Sequence, residues 1–329
     1  MKYLLLASTF AALTFASISP VIADEQTRLI QNGNLFPITP EQISKYGALK
    51  VYQSIWKAID KSSTSNFIKT KEWKDLFDKP PIEICDDNDV RKAISILYSK
   101  TGDTVGSDYT QDINDLIGEQ NVKVCTSARQ GKIGYLRLSK IPVQAATSQM
   151  KFALLTMPDI NGLILDLRGN SGGNVVESLE VASLFCKDAV SLKTKSIGGE
   201  YDTNTKKGTA IFLKPLVVLI DADTVSGGEI LANILKEQCG SKLLGIKTSG
   251  KTSIRALTAT DFGYIVAVKI AEVVHKDNSP IENKGVAPDI ALDASPWWKT
   301  NKDITASDSK IFSDKLVKAA VKELKNEIK

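Results

Sequence analysis

The chain has 329 residues, 43% of them hydrophobic, with 42 Lys and Arg against 38 Asp and Glu and a formal net charge of +4. The charge is scattered without a basic block, which argues against nucleic acid or a membrane surface as partner. A single His and four Cys with no C-x-x-C pair argue against a zinc or other metal site, and no residue pattern asks for a cofactor.

Taken in chain order, Lys2, the apolar and small-residue run from Leu4 to Ile18, Pro20 and the site Val21-Ile22-Ala23 predict an export signal spanning 1–23, cleaved after Ala23. An uncleaved membrane anchor is the alternative, and the run is barely long enough for one. The mature chain is therefore expected in the periplasm or secreted, with no stable membrane insertion.

Residues 24–130 read as a helical N-terminal subdomain. Thr39-Pro40-Glu41-Gln42 is a helix start, with Thr as N-cap and Pro at the first helical position, and Leu49, Tyr52, Ile55, Trp56 and Ile59 recur at helical spacing. A second helix over 88–99 carries Val90, Ile94 and Leu97 on one face.

The texture changes at Gly131. "KIGYLRL" and "GLILDLR" are short strands, while "PLVVLID" and "KLLGI" are continuous apolar runs suited to buried parallel strands. Helical patterns at 175–185 and 226–235 lie between them, so 131–306 reads as a βαβ-type α/β core. The segment 190–212 is expected as an exposed hairpin or loop insertion, and 307–329 contains an amphipathic C-terminal helix carrying Leu316, Val317, Ala320, Leu324 and Ile328. In an oxidising compartment, pairing by region gives Cys85–Cys125 and Cys186–Cys239; four buried thiols are the alternative.

"GIKTSGKTS", residues 245–253, fits the phosphate-cradling pattern G-x-x-x-x-G-K-[ST]. That reading needs a helix after the motif. The following stretch, rich in Thr, Ile, Val and aromatic residues around Asp261-Phe262-Gly263, reads instead as a β-hairpin. Another role for Lys251 is offered by "IDADTVSGGEIL", 25 residues upstream, where a buried strand ends and a helix begins at Ser226. A serine there lies in the positive field of a helix N-terminus, which suits a nucleophile and the oxyanion it generates. Ser226 and Glu229 also fit a capping box, so both readings stand. "LILDLRGNSGG" adds a Gly-rich turn able to present N–H groups to an anion, or an ordinary tight turn. His275 sits in a Lys/Asp/Asn-rich turn, so a Ser-His-Asp triad is not expected, and a lysine in a desolvated pocket can serve as base. Three S-x-x-K matches, at Ser54, Ser148 and Ser307, lack the S-D-N companion of penicillin-binding enzymes.

Together, "GYLRL", "GLILDLRGNSGG", "PLVVLIDADTVSGGEIL", "LLGIKTSGKTS" and "IENKGVAPDI" resemble the C-terminal processing peptidases, serine endopeptidases with a Ser-Lys dyad. The resemblance implies a ClpP/crotonase-like α/β core that hydrolyses peptide bonds in protein or peptide substrates. By resemblance Ser226 is the nucleophile, Lys251 the general base, Glu229 the residue that orients the dyad, and Gly227 with Gly172 or Gly173 the oxyanion hole. The family's S-A-S-E-I is here Ser226-Gly227-Gly228-Glu229-Ile230, and Arg255 stands where members often carry Gln, a cation that would modulate Lys251. Roughly fifteen residues separate Leu116 from Gly131, too few for the PDZ domain that many members insert there. A PDZ-less member would use its helical part, or an activating or substrate-presenting partner, to deliver substrate. The rival reading is a peptidase-like binding protein without turnover.

Overall fold

A computed structural model describes residues 47–63, 65–85, 87–101, 122–142, 144–196, 199–205, 207–260, 265–298 and 307–328. The export signal, the helix start at Thr39 and the Asp261-Phe262-Gly263 turn lie outside the described residues. No helix among the described residues is long and apolar enough to cross a membrane.

Helix α1 (Ala48–Ser62) buries Val51, Tyr52, Ile55 and Ile59 at helical spacing. Leu49 faces solvent instead, because Ala48 and Val51 carry the first turn of the buried face. A 3-10 turn (Asn66–Lys69) leads to α2 (Lys71–Asp75), whose Trp73 amide is capped by Thr70 Oγ1 and whose indole stacks on Trp56 at 5.3 Å. Helix α3 (Asp87–Lys100) adds Val90, Ile94 and Leu97 to the same cluster.

The main sheet comprises β1 (Cys125–Gln130), β2 (Ile133–Leu138), β3 (Gly162–Asp166), β6 (Leu216–Ile220), β7 (Lys242–Gly245) and β10 (Ile290–Ala291), in the order β1-β2-β3-β6-β7-β10. Every pairing is parallel except β1 with β2. β1 precedes the texture change at Gly131; its sequence CTSARQ buries only Cys125 and Ala128, so it carries little apolar signal. Helices α4 (Ala145–Leu155), α5 (Val175–Ser183) and α6 (Gly227–Cys239) cover one face, while α7 (Asp308–Ile311) and α8 (Lys315–Glu327) cover the other. Strand β6, LVVLI, is buried throughout because Val218 and Ile220 enter one core and Val217 and Leu219 the other. Each such side chain contributes about 1.5–3 kcal/mol by leaving water, so a charge at Val217 would pry α8 from the sheet.

The single C-terminal helix expected is split. Asp314 accepts from the Leu316 and Val317 N–H groups and so starts α8 afresh. The same carboxylate pairs with Arg168, which is 1% exposed and also grips Asp166 through Nε and Nη2 at 3.0 and 2.7 Å. Burial opposes the Arg168 charge, yet Asp166 and then Asp314 hold the guanidinium well above its ordinary range.

Segment 190–212 forms the expected hairpin, β4 (Ser191–Ser196) with β5 (Gly199–Asn204). It joins β8 (Ser253–Ala259) and β9 (Ile265–Val273) in an antiparallel sheet ordered β5-β4-β9-β8. The helical cluster closes on Val266 and Val268 of β9, which places the helical subdomain on this second sheet. Cys186 and Cys239 form a disulfide. The pairing expected for Cys85 and Cys125 does not form: Cys85 is exposed, whereas Cys125 is buried with its Sγ 3.6 Å from Met150 Sδ.

Candidate active site

The loops after β3, β6 and β7 leave the carboxyl ends of three adjacent parallel strands, the edge at which open α/β sheets bind ligands. The loop after β6 delivers Ser226 to the start of α6 with φ 53° and ψ −120°. That conformation costs a non-glycine residue on the order of 1–3 kcal/mol, so the surroundings must hold it. Val225 N–H donates to the Asn170 carbonyl at 2.8 Å on one side, and Ser226 N–H donates to Glu229 Oε2 at 3.0 Å on the other.

The Gly-rich turn after β3 packs directly on this serine. A Cβ on Gly172 (φ 86°) would lie 2.7 Å from Ser226 Cβ and 2.9 Å from Gly227 N. One on Gly173 (φ 142°) would meet the Ile141 carbonyl. Only glycine fits both positions. The two amides differ in availability: Gly172 N–H is already committed to Asn170 Oδ1 at 2.8 Å, whereas Gly173 N–H has no hydrogen-bond partner among the described residues. Gly227, the first residue of α6, has its amide among the N-terminal donors a helix leaves unused. A Cβ on Gly227 would stand 3.1 Å from Gly173 N, which places the two glycines side by side.

Gly227 and Gly228 do not loosen the helix start, because close packing requires them. A Cβ on Gly227 would come 2.9 Å from Ser178 Oγ, and one on Gly228 would come 2.9 Å from Asn170 Oδ1. Ser178 in turn donates to the Gly227 carbonyl at 3.1 Å, and the fully buried Asn170 donates to Leu138 O at 2.8 Å.

Glu229 is 0% exposed. A buried carboxylate without donors is strongly unfavourable, and four donors converge here. Oε1 accepts from Thr248 Oγ1 and Gly250 N–H, each at 2.6 Å, and Oε2 accepts from Ser226 and Lys251 N–H at 3.0 and 2.8 Å. The carboxylate therefore does more than close a capping box, since it also fixes the loop that bears Lys251. Glu282 holds the far side of that loop, accepting from Thr252 N–H at 2.6 Å and Ser253 Oγ at 2.7 Å. Lys251 thus has a clamped backbone and an exposed side chain, not the desolvated pocket in which a lysine base was expected. Arg255 lies half-buried at an irregularity in β8.

No helix follows Lys251, because residues 253–259 are strand β8, so the phosphate-cradle reading fails at its second requirement. His275 is not simply solvated: its Nδ1 lies 2.6 Å from Glu237 Oε1. Glu237 is ten residues beyond Gly227 in α6, about 15 Å along the axis, so His275 stands apart from the serine. Thr248, Glu282, Asn170 and Ser178 escaped sequence reading, because each works through hydrogen bonds between segments distant in the chain.

A strained serine at a helix start, facing uncommitted backbone N–H groups and tied through one carboxylate to a lysine loop, is an arrangement that serine-nucleophile hydrolysis can use. Residues 132–292 match the model of peptidase family S41, a segment that is similar in sequence to the C-terminal processing peptidases. The carboxyl-terminal-processing protease of Synechocystis is 33% identical over 159 residues, covering 48% of this chain and 37% of that protein. Carboxyl-terminal-processing peptidase 3, chloroplastic, of Arabidopsis thaliana is 35% identical over 167 residues, covering 49% and 32%. The chain spans about a third to a half of the length of the curated relatives it matches. Among solved structures, a photosystem II D1 C-terminal processing protease superposes with TM-score 0.57 at 19% identity over 75% of this chain and 93% of that one. A Streptococcus agalactiae lipoprotein superposes with TM-score 0.64 at 14% identity, covering 89% and 99%. These likenesses bear on the fold, a mixed α/β architecture consistent with a ClpP-like core.

Proposed function

We propose that this chain is an exported serine endopeptidase of the C-terminal processing type, acting through Ser226 and Lys251 on protein or peptide substrates. The observation that carries the reading is the shared Glu229 carboxylate, which binds the Ser226 and Lys251 amides through one oxygen. Lys251 Nζ takes the proton from Ser226 Oγ as the oxygen attacks the peptide carbonyl carbon. The oxyanion is received by the Gly227 and Gly173 N–H groups, with Gly172 shaping the turn rather than donating. The C–N bond breaks as the amine leaves with a proton from Lys251, and water then hydrolyses the acyl-enzyme. Glu229 is a positioning residue in this scheme.

Lys251 has an exposed side chain, so a polypeptide laid across it would be what buries the amine. The same exposure favours the second reading, a peptidase-like protein that binds without turnover. Export rests on the pattern of residues 1–23, and delivery of substrate falls to the helical subdomain or to a partner protein.

A fluorophosphonate probe on the mature chain from Asp24, followed by peptide mapping, tests the reading. The expected result is a single adduct on Ser226, strongly reduced in Lys251→Ala; no adduct, or one elsewhere, assigns the site to binding alone.

A further inference from the structure

Arg137, the last but one residue of β2, is in register with Asp166 of β3 and lies on the side of the sheet where Trp298 packs. Its guanidinium carbon sits 3.9 Å from the centre of the Trp298 ring. The side chain is only partly exposed, its Nε is buried with no hydrogen-bond partner, and the residue has no ion pair among the described residues. Burial pulls the guanidinium down from its ordinary value, while Asp166 and Asp221 oppose that effect from a distance.

Neither carboxylate pairs with Arg137. Asp166 is occupied by Arg168 and by Tyr135 OH at 2.8 Å, and Asp221 Oδ1 accepts from Gly169 N–H at 2.9 Å and Asp223 N–H at 3.1 Å. A half-buried cation normally has a partner, and a guanidinium held flat on an indole presents a planar fork suited to a carboxylate. Its position is also informative. A Cβ on Gly169 would lie 4.0 Å from Arg137 Nη2, and Gly169 opens the turn whose other end, Gly172, touches Ser226. Gly169 and Gly172 are three residues apart, hence within about 11 Å.

We propose that Arg137, backed by Trp298, binds a carboxylate of the polypeptide held at Ser226, a few residues from the carbonyl under attack. Its polypeptide ligand rests on the peptidase reading. The carboxylate comes either from the chain terminus or from an Asp or Glu side chain, and one experiment separates the sources.

Binding is measured on the Ser226→Ala variant, which removes turnover from the readout. The probes are N-acetylated casein decapeptides, each made as C-terminal acid, as C-terminal amide, and as amide with one internal Glu. The acid form is expected to bind about tenfold tighter than the amide, the scale of a charged hydrogen bond, with a change in tryptophan fluorescence. Adding Arg137→Gln abolishes the preference, and Arg137→Lys restores it in part. A preference of the same size for the internal-Glu amide assigns the carboxylate to a side chain. The acid-to-amide ratio is an internal control against a general loss of stability. Equal binding of all three forms, no binding of any, or a preference unchanged by Arg137→Gln overturns the proposal. A preference that persists in a chain whose Ser226-containing form cleaves nothing sinks the peptidase reading alone.

Discussion

The backbone N–H groups of Ser226 and Lys251 donate to the same atom, Glu229 Oε2, at 3.0 and 2.8 Å. Residues 25 positions apart are thereby set against each other by a third, itself buried and bound to Thr248 and Gly250. Glu229→Gln puts an NH2 group among donors. Unfolding by denaturant should show a loss of roughly 2–4 kcal/mol. Labelling of Ser226 by the fluorophosphonate probe should slow by about 10²-fold, the scale of a small misplacement. Unchanged labelling would detach Glu229 from the site.

Gly227 and Ser178 are a packing pair. Gly227→Ala drives a methyl to 2.9 Å from Ser178 Oγ and should destabilise by about 1–3 kcal/mol. Ser178→Ala removes the obstructing oxygen, so the double variant should recover about 1 kcal/mol in a mutant cycle. Strict additivity would show that the obstruction lies elsewhere.

The Cys186–Cys239 bridge closes a separation of 53 residues, worth about 4 kcal/mol by loop entropy. Reductant, or Cys186→Ser with Cys239→Ser, should lower Tm by several degrees. A Tm insensitive to reductant would contradict a formed bridge.

Burial pushes the Cys125 thiol up to about 12 from an ordinary value of 9.0, with Lys123 opposing. The folded chain therefore keeps the proton when the unfolded chain has released it. This contribution to stability is whole below pH 9 and is lost as pH rises from 9 towards 12, by at most about 1.4 kcal/mol per unit. Between pH 9 and 10 the unfolding free energy of wild type should fall more steeply than that of Cys125→Ala. Parallel slopes would mean that Cys125 titrates freely in the fold.

The parallel strands were legible because β3 and β6 are apolar on both faces, and the β8–β9 hairpin because Thr, Ile and Val cannot continue as the helix a phosphate loop needs. β1 was not legible, since an edge strand reading CTSARQ is largely polar. Ser226, the Gly-rich turn and Lys251 could be found as local patterns. The division of labour between Gly172 and Gly173 could not, because it depends on the direction of the Asn170 side chain. Pairing cysteines by region failed for Cys85, which sits with the helices, and Cys125, which belongs to the sheet.

The most direct measurement is incubation of the chain from Asp24, and of its Ser226→Ala and Lys251→Ala variants, with casein, with fragments read by mass spectrometry. Fragments from the wild type and from neither variant are predicted. Equal cleavage by the Ser226→Ala variant would contradict the assignment of Ser226 as nucleophile.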